Sequence, residues 1–259
     1  MKPVPSTPPR SKRGPSRRAA FGGAALAAFA FFTPRWAQAQ PPRYSAGPAS
    51  ADGIGKRYMG REIAGVMGWQ GAAWLEREER EREEREREER TDLLIEALDL
   101  KPGMVVADIG AGTGFLARRM AGVVGPSGKV LAVDVQPEMV RWLTDLARRS
   151  GLAQIVPSLG AEDDVRLPAG SVDLAIMVDV YHELAYPFEV LASIVRALEP
   201  GGRVVFVEYR AEDERVPIKP LHKMSQAQIR REAAALPLVW ERGSDRLPWQ
   251  HLVVFRKAP

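Results

Sequence analysis

VVADIGAGTGF, residues 105–115, is an apolar run that carries a carboxylate near its end and then breaks into a glycine-rich turn. The apolar part is typical of a strand that is buried on both faces of a sheet. The glycines allow backbone conformations that other residues resist, and they let a ligand approach the main chain closely. Because ligands of open parallel sheets bind at the carboxyl ends of the strands, this turn is a candidate ligand site.

Beyond Lys101 the sequence alternates apolar strand patterns with amphipathic helix patterns. Helices of about 10–15 residues between strands indicate a parallel sheet with helices on both faces. The last two strand patterns have no helix between them, so they should pair antiparallel. The sequence therefore predicts an α/β fold, a Rossmann-like doubly wound sheet of seven mostly parallel strands with an antiparallel last strand. The predicted strands cover residues 104–110, 129–135, 153–160, 172–180, 203–210, 238–243 and 247–257.

The spacing of the glycines separates the nucleotides that such a turn can hold. The dinucleotide fingerprint is G-x-G-x-x-G, which leaves a helix N-terminus open for a pyrophosphate. This chain has D-x-G-x-G-x-G instead, and the bulky Phe115 stands where the third dinucleotide glycine belongs. No Gly-Lys-Ser/Thr follows, which excludes a P-loop. Asp134 ends the second strand about 20 residues further on, where a carboxylate can accept both hydroxyls of a ribose.

The composition excludes several classes of function. The net charge of +4 arises at the N-terminus, because residues 1–39 carry seven basic side chains and no acidic one. Charge confined to one end does not indicate a nucleic-acid-binding surface. The chain has no cysteine, which excludes disulfides, thiolate metal sites and thiol nucleophiles. The three histidines are far apart and lack metal-ligand spacing, so the sequence predicts no metal site.

Residues 1–39 are organised like an export signal peptide. A basic start is followed by the uncharged apolar run 19–32 and by Ala-Gln-Ala at 37–39, the small-residue pattern of a cleavage site. An arginine pair at 17–18 precedes the apolar run, as in twin-arginine signals. The run is short for a membrane span, which needs roughly 20 residues. We expect an exported, periplasmic protein, and the alternatives are an ordinary signal or an uncleaved anchor with the rest of the chain facing the cytoplasm.

Between the signal and the domain at 101–259, the composition changes twice. Residues 40–54 are rich in proline and glycine, which indicates a flexible linker. Residues 55–100 are expected to form an N-terminal helical extension. Within it, the repeat EREER at 76–90 has favourable i,i+4 Glu–Arg spacing and no apolar face, which favours a solvated helix over a docking arm. The segment 57–76 is rich in Met, Trp and Gly and fits either a lid over a pocket or a helix and loop packed on the sheet.

The region from about Leu98 to Arg210 resembles a class I S-adenosylmethionine-dependent methyltransferase. Within that class, the region most resembles the small-molecule methyltransferases of the menaquinone and ubiquinone type. Four segments carry it in the order of the family: VVADIGAGTGF (105–115), VLAVDVQPEMV (130–140), LPAGSVDLAIMVDVYHEL (167–184) and ASIVRALEPGGRVVFVEYR (192–210).

The resemblance implies S-adenosyl-L-methionine as the cofactor and assigns its contacts. The glycine turn would approach the methionine moiety, and Asp108 would position the ammonium group unless it serves only to cap the turn. Asp134 would take the ribose hydroxyls, with Val135 against the adenine. After the third strand this chain has Gly-Ala-Glu-Asp-Asp where the family often has Gly-Asp-Ala, so Glu162, with Asp163 as the alternative, would meet the adenine amino group. The cofactor-binding set is Asp108, Gly110, Ala111, Gly112, Gly114, Asp134, Val135, Glu162 and Asp179.

The segment DVYHEL, Asp179 to Leu184, would lie at the end of the fourth strand and face the transferred methyl group. Methyl transfer is an in-line displacement that needs a held nucleophile and removal of its proton. His182 is the candidate general base, because histidine titrates near neutral pH, and a packing role is the alternative. Tyr181 is the candidate to orient a substrate oxygen. Further pocket candidates, each more often structural than catalytic, are Glu208, Tyr209 and His222.

The residues and the resemblance together predict methyl transfer to a small-molecule or lipid-like acceptor. They predict no nucleic-acid partner, and membrane association only through the N-terminal apolar segment. The alternatives are a non-catalytic S-adenosylmethionine-fold binding module and, disfavoured by the glycine spacing and Phe115, a nicotinamide-dependent oxidoreductase. The predicted export conflicts with the cytosolic origin of S-adenosylmethionine, and the sequence leaves this conflict open.

Overall fold

The computed structural model describes residues 42–71 and 89–259. The expected export signal at 1–39 and most of the EREER repeat lie outside the described residues. Each helix within the described ranges is too short or too polar to span a bilayer.

A small antiparallel sheet comes first in the described chain, with the strand order β1-β2-β3. Its strands are β1 (Tyr44–Ala46), β2 (Gly53–Tyr58) and β3 (Arg61–Ala64). The residues between β2 and β3, Met59 and Gly60, have φ values of 46° and 95°. Two positive φ angles in a two-residue loop match the twist of a tight hairpin.

This sheet corrects the expectation of a linker over 40–54 and of a helical extension beginning at 55. The backbone groups of these residues pair as strands, and Tyr58, Ile63 and Ala64 are buried. The strands span only three to six residues, so their period-two pattern is too short to stand out in a Gly- and Met-rich segment. Of the extension, α1 (Thr91–Ala97) is helical, and Leu94 and the following Leu98 are buried.

The main sheet has seven strands in the order β6-β5-β4-β7-β8-β10-β9. The pairs from β6 through to β8 are parallel, whereas β10 is antiparallel to both β8 and β9. The predicted Rossmann-like sheet with an antiparallel last strand is therefore confirmed. Pro157 is tolerated in β6 because that strand lies at the edge of the sheet. The bounds are β4 (Val105–Ile109), β5 (Lys129–Asp134), β6 (Ile155–Leu159), β7 (Val172–Val178), β8 (Leu198–Tyr209), β9 (Leu238–Ser244) and β10 (Gln250–Lys257).

Four helices connect these strands, and local sequence fixes their ends. Proline stands in the first turn of two of them, where its missing N–H costs no hydrogen bond. Gly151, with a φ of 64°, ends the second helix in the left-handed conformation that glycine favours. The hydroxyl of Ser225 accepts a hydrogen bond from Gln228 N at 3.1 Å and caps the last helix. The helices are α2 (Phe115–Val124), α3 (Pro137–Ser150), α4 (Pro187–Ala197) and α5 (Gln226–Ala233).

Two apolar cores cover the two faces of the sheet. Alternate residues of each central strand point to opposite faces, so Val106 of β4 belongs to one core and Ala107 to the other. Helices α1, α2 and α3 pack on the face of Val106, and α4 and α5 pack on the face of Ala107. This packing leaves the carboxyl ends of the parallel strands open at one edge of the sheet.

Candidate functional site

A cavity of about 800 Å³ lies at the carboxyl ends of β4, β5 and β7. Val66 and Met67, which follow β3, also line it. Trp69 N donates to Gln136 Oε1 at 2.7 Å, and Gln136 Nε2 donates to Met67 O at 3.2 Å. The Met- and Trp-rich segment therefore borders the cavity, whereas the hairpin that precedes it packs against the domain. Within the segment 57–76, residues 57–58 and 61–64 are strands rather than the helix of one alternative, and the lid of the other alternative stays a prediction.

The glycine turn follows β4 directly and forms one wall of the cavity. Gly110 N and Ala111 N donate to Val133 O at 2.8 and 3.0 Å, which ties the turn to β5. Gly110 and Gly112 have φ values of 73° and 53°, in the left-handed region where a Cβ is disfavoured. A Cβ on Gly110 would lie 2.6 Å from a methyl group of Val180, so only glycine fits. Gly110, Ala111 and Gly112 all line the cavity, as predicted for a turn that a ligand approaches.

Gly114 is a correction to the predicted cofactor set. It does not line the cavity but precedes α2 as its N-terminal cap residue, with a φ of 85°. A Cβ there would lie 2.5 Å from Leu146 Cδ2 and 2.9 Å from Leu143 Cδ2. The third glycine of the motif therefore allows close packing of α2 against α3 rather than close approach of a ligand.

Asp108 lies near the end of β4, Asp134 ends the neighbouring strand β5, and both line the cavity. Each oxygen of Asp134 accepts a backbone N–H, from Gly112 at 3.0 Å and from Gln136 at 2.9 Å, and each keeps a second lone pair. Asp108 is 3% exposed, and its Oδ2 has no hydrogen-bond partner within the described part of the chain. Burial, together with the nearby Asp134, raises the pKa of Asp108 to about 7. Burial also raises the pKa of Asp134.

Val135 and Glu162 line the outer part of the cavity, and both are exposed. Of the three acids at 162–164, Glu162 alone lines the cavity. Asp164 accepts hydrogen bonds from Arg196 Nη2 at 2.9 Å and from Arg166 N at 2.7 Å, so its carboxylate is held by the protein itself.

Asp179 follows β7 and faces the same cavity from the next strand. Its φ of 54° lies in the left-handed region, which aspartate tolerates better than most residues but which still stores strain. Its Oδ2 accepts a hydrogen bond from Gln250 Nε2 at 2.8 Å, whereas Oδ1 is buried without a partner within the described ranges. Burial, and secondly the charge of Glu208, raises the pKa of Asp179 well above its ordinary value.

His182 lies in the 3-10 turn Tyr181–Glu183 and contacts two ionisable side chains. Its Nδ1 is 2.6 Å from Glu208 Oε2, and its Nε2 is 3.1 Å from Nδ1 of His222, in the turn Pro220–His222. In the neutral imidazole with Nδ1–H donating to Glu208, the lone pair of Nε2 faces His222, whereas in the imidazolium form both ring nitrogens are donors. Burial lowers the pKa of His182, but the charge and hydrogen bond of Glu208 raise it by more. Burial, and secondly His182, lowers the pKa of His222.

Tyr181 is a second correction, because the structure does not bring it to the cavity. The side chain is fully buried, and its ring packs edge-on against Phe206 with the centroids 4.9 Å apart. Adjacent side chains of the 3-10 turn point in different directions, so His182 and Glu183 line the cavity and Tyr181 belongs to the core. The predicted role of Tyr181 in orienting a substrate oxygen has no support in this geometry.

Two residues of this region were missed by sequence reasoning. Glu183 lines the cavity, with Oε1 at 3.8 Å from His182 Nε2 and at 3.4 Å from His222 Nδ1. Arg61 of β3 donates to the carbonyl oxygen of His182 at 3.1 Å and forms an ion pair with the buried Glu232 at 2.6 Å. Glu183 adjoins a singled-out histidine, which was a usable signal. Nothing in the sequence connects Arg61 with residues more than 100 positions away.

The cavity fits S-adenosylmethionine on two observations. The main chain of Gly110, Ala111 and Gly112 forms a wall of the cavity with no side chain larger than a methyl group, and the unpartnered oxygens of Asp108 and Asp179 are acceptors without a donor in the described structure. Buried carboxylates need a cation or hydrogen-bond donors, and an ammonium or sulfonium ligand supplies positive charge. A dinucleotide would instead place a negatively charged pyrophosphate beside these carboxylates, which is unfavourable.

Part of this chain is similar in sequence to known methyltransferases. Residues 107–206, less than half of the chain, match the family described as a methyltransferase domain. The ubiquinone/menaquinone biosynthesis C-methyltransferase UbiE of Ectopseudomonas mendocina is 31% identical over 116 residues, 44% of this chain and 45% of its own length. The enzyme of the same name from Bordetella parapertussis is 36% identical over 112 residues, 42% of each chain. This chain thus spans less than half the length of these two relatives.

Solved structures share the architecture. A SAM-dependent methyltransferase from Aquifex aeolicus superposes with a TM-score of 0.68 at 23% identity, covering 74% of this chain and 100% of that one. The fold is that of class I methyltransferases. The [4+2]-cyclase SpnF superposes on the same sheet with a TM-score of 0.56 at 19% identity, covering 65% of this chain and 80% of that one. Because a cyclase shares it, the methyltransferase fold by itself does not fix the reaction.

Proposed function

We propose that this protein transfers a methyl group from S-adenosylmethionine to a small-molecule or lipid-like acceptor. The observation that carries the proposal is the pair of buried carboxylate oxygens, Asp108 Oδ2 and Asp179 Oδ1, left without a partner in the described part of the chain. They face one cavity beside a glycine turn, and two acidic groups there favour a cationic nucleoside ligand over an anionic dinucleotide. The matching methyltransferase domain and the UbiE relatives support the same reading.

Different residues of the cavity bind different parts of S-adenosylmethionine. S-adenosylmethionine, when bound, supplies a methyl group on a positively charged sulfur. The backbone of Gly110 to Gly112 makes room for the methionine moiety, and Asp108 holds its ammonium group. Asp134 uses its remaining lone pairs for the ribose hydroxyls. Val135 covers the adenine, and Glu162 accepts from its amino group.

The acceptor lies in the half of the cavity formed by the segment after β7. His182 Nε2 and His222 border this half, together with the exposed Val66 and Met67. Apolar side chains around a few polar groups suit an acceptor with a hydroxyl or a polarised ring on an apolar body. The UbiE relatives are named as C-methyltransferases of ubiquinone and menaquinone biosynthesis, which supports a lipid-like acceptor here.

The test of cofactor binding uses titration calorimetry on the full chain with S-adenosylmethionine, S-adenosylhomocysteine and NAD. We expect the first two to bind and NAD not to bind. Asp108→Asn removes one charged hydrogen-bond acceptor and should weaken S-adenosylmethionine binding about 10–100-fold. Asp145→Asn, an exposed carboxylate on α3, is the matched control and should bind as the wild type does. A protein that binds NAD but neither sulfur ligand would overturn the proposal.

The test of transfer uses S-adenosylmethionine with a labelled methyl group and a membrane-lipid extract as the source of acceptors. We expect label in the lipid fraction with the wild type and loss of transfer with Asp108→Asn. Cofactor binding without transfer to any fraction would instead support a non-catalytic binding module.

We also propose that the sequence at 1–39 directs export, with an anchored form facing the cytoplasm as the second outcome. The support is the order of a basic start, an apolar run and Ala-Gln-Ala. Cell fractionation combined with sequencing of the mature N-terminus distinguishes the two. A new N-terminus near residue 40 in the periplasmic fraction would establish export, and an intact N-terminus in the membrane fraction would establish the anchor.

A further inference from the structure

We propose that His182, Glu183 and His222 form a binding site for one divalent transition-metal ion in the acceptor half of the cavity. The existence of the site is independent of the proposed function, whereas its use in holding a methyl acceptor rests on that function. The sequence analysis predicts no metal site, because His182 and His222 are 40 residues apart and meet only through the fold.

The three candidate ligand atoms have the geometry of a metal site. His182 Nε2, His222 Nδ1 and Glu183 Oε1 are separated by 3.1, 3.4 and 3.8 Å. A triangle with these sides has a centre about 2.0 Å from each corner, which is the length of zinc–nitrogen and zinc–carboxylate bonds. One ion therefore reaches all three atoms without movement of the backbone. Two imidazoles and one carboxylate suit zinc, iron, cobalt and related ions, and disfavour magnesium and calcium.

The surroundings of His182 are those of a metal-bound histidine. Its Nδ1 donates to Glu208 Oε2 at 2.6 Å, which fixes the tautomer that presents Nε2 as a ligand. Glu208 is fully buried, and its other oxygen accepts from Tyr181 N at 2.8 Å, so the carboxylate is itself held in place. Arg61 donates to the carbonyl oxygen of His182 and fixes the turn from the other side. A ligand that is oriented before binding loses little entropy on binding a metal.

The charge around the cluster also favours a cation. Within the described residues, Glu183 and Glu208 form ion pairs with histidine only, and the nearby cations Arg61 and Lys219 are ion-paired to Glu232 and Asp52 instead. Glu232 shows the contrast, because its buried carboxylate is paired with Arg61 at 2.6 Å. Two carboxylates next to two imidazoles leave negative charge that a divalent ion would neutralise.

The alternative interpretation is a simple hydrogen bond between the two imidazoles, because 3.1 Å between His182 Nε2 and His222 Nδ1 is also a hydrogen-bond distance. It accounts for two of the three atoms but not for the convergence of Glu183 on both nitrogens. Three protein ligands leave at least one coordination position for an outside donor, as in catalytic rather than structural metal sites. All three residues line the cavity, so this position can take a water or an oxygen of the acceptor.

The test uses the full chain without a polyhistidine tag, freed of metal with a chelator. Zn²⁺ is titrated by calorimetry, and Co²⁺ by its visible absorption, which reports the ligand geometry. We expect one ion per chain, with Glu183→Gln and His222→Gln each weakening Zn²⁺ binding at least about tenfold. Both replacements keep the size and polarity of the side chain, and circular dichroism checks that the variants are folded. Glu199→Gln, an exposed carboxylate on β8 outside the cluster, is the matched control and should leave Zn²⁺ affinity unchanged.

The outcomes separate this site from the proposed function. Absence of Zn²⁺ binding, or equal binding by the wild type and both cluster variants, would overturn the metal site. S-adenosylmethionine titrations on the same samples decide the cofactor independently, because neither variant touches the predicted cofactor set. One bound ion that is lost in the cluster variants supports the site whether or not the cofactor binds.

Discussion

The two halves of the cavity are assembled in different ways. Most of the cofactor half comes from one stretch of chain, since β4, the glycine turn and the end of β5 all fall between residues 105 and 136, and Glu162 and Asp179 join it from the ends of β6 and β7. The acceptor half combines the turn after β7, the turn at Pro220–His222 and the hairpin of β2 and β3. The first half depends on local backbone geometry, and the second depends on distant elements being held together. Substitutions should therefore affect the halves separately.

Arg61→Met should have the largest effect, on stability and on the acceptor half. Arg61 connects the hairpin to Glu232, which is fully buried, and to the carbonyl oxygen of His182. Removing one member of a buried ion pair leaves an uncompensated charge and costs about 3–5 kcal/mol. We expect urea unfolding to show this loss. Zn²⁺ affinity should also fall, while S-adenosylmethionine affinity of the folded protein stays at the wild-type value.

Two further variants sharpen this test. Arg57→Met removes a partly exposed arginine, 3.4 Å from Glu62 in the same hairpin, and should cost no more than about 1 kcal/mol. The double variant Arg61→Met with Glu232→Met replaces the whole ion pair by apolar groups and should recover much of the stability. If Arg61→Met weakens cofactor binding as much as Asp108→Asn does, the separation of the two halves is wrong.

Gly110→Ala should damage the cofactor half by a somewhat smaller amount. The new Cβ would lie 2.6 Å from Val180 Cγ2, and the φ of 73° is unfavourable for alanine. Strained backbone and overpacking together cost about 2–4 kcal/mol. We expect this loss in denaturant unfolding and a weaker S-adenosylmethionine signal in calorimetry.

The matched control is Gly122→Ala, an exposed position within α2 where a Cβ meets nothing within 4 Å. Alanine is a better helix former there and should add about 0.5–1 kcal/mol of stability without any change in cofactor affinity. Equal behaviour of the two alanine variants would contradict the role given to the turn.

These contrasts explain how much of the site the sequence could reveal. The sequence could predict which residues of this half line the cavity, because Asp108, the glycines and Asp134 occur in fixed order on one strand–turn–helix–strand unit. Gly114 was misassigned because a glycine that permits helix packing looks the same in sequence as one that admits a ligand. Its role depends on Leu143 and Leu146, which belong to the next helix.

The acceptor half could not be predicted to the same extent. Choosing between Tyr181 and His182 requires the direction of each side chain in a 3-10 turn, which has no sequence signature. The pairing of His182 with His222 depends on where the chain returns after β8, and the contact of Arg61 depends on a hairpin built from very short strands. Long-range placement decides each of these, so a motif search finds the residues without their partners.

The pH dependence of cofactor binding tests the charge state of Asp108. Its pKa is raised from 3.8 to about 7 in the folded protein, so the fold retains a proton that the unfolded chain has lost. This contribution to stability is complete below about pH 4 and disappears as the pH rises through 7. A ligand ammonium needs the ionised form, so S-adenosylmethionine affinity should rise about fourfold between pH 6 and pH 8, the gain from ionising Asp108 being partly offset as the ligand's α-ammonium begins to lose its proton.

Calorimetry in buffers of different ionisation enthalpy should detect release of a proton on binding below pH 7. Asp108→Asn should remove the part of the pH dependence that belongs to the protein and leave only the titration of the ligand. An unchanged pH profile in this variant would show that another group controls binding.

Glu162→Gln should have the smallest effect, confined to the outer end of the cofactor half. Glu162 is exposed, so losing one hydrogen bond to the adenine amino group costs about 0.5–1.5 kcal/mol, a loss of affinity of roughly two- to tenfold. Asp163→Asn should have no effect, because Asp163 does not line the cavity. A purine-riboside analogue of S-adenosylhomocysteine, which carries hydrogen in place of the amino group, should bind the wild type and Glu162→Gln equally. If Asp163→Asn rather than Glu162→Gln weakens binding of the adenine ligand alone, the loop after β6 turns differently when the cofactor binds.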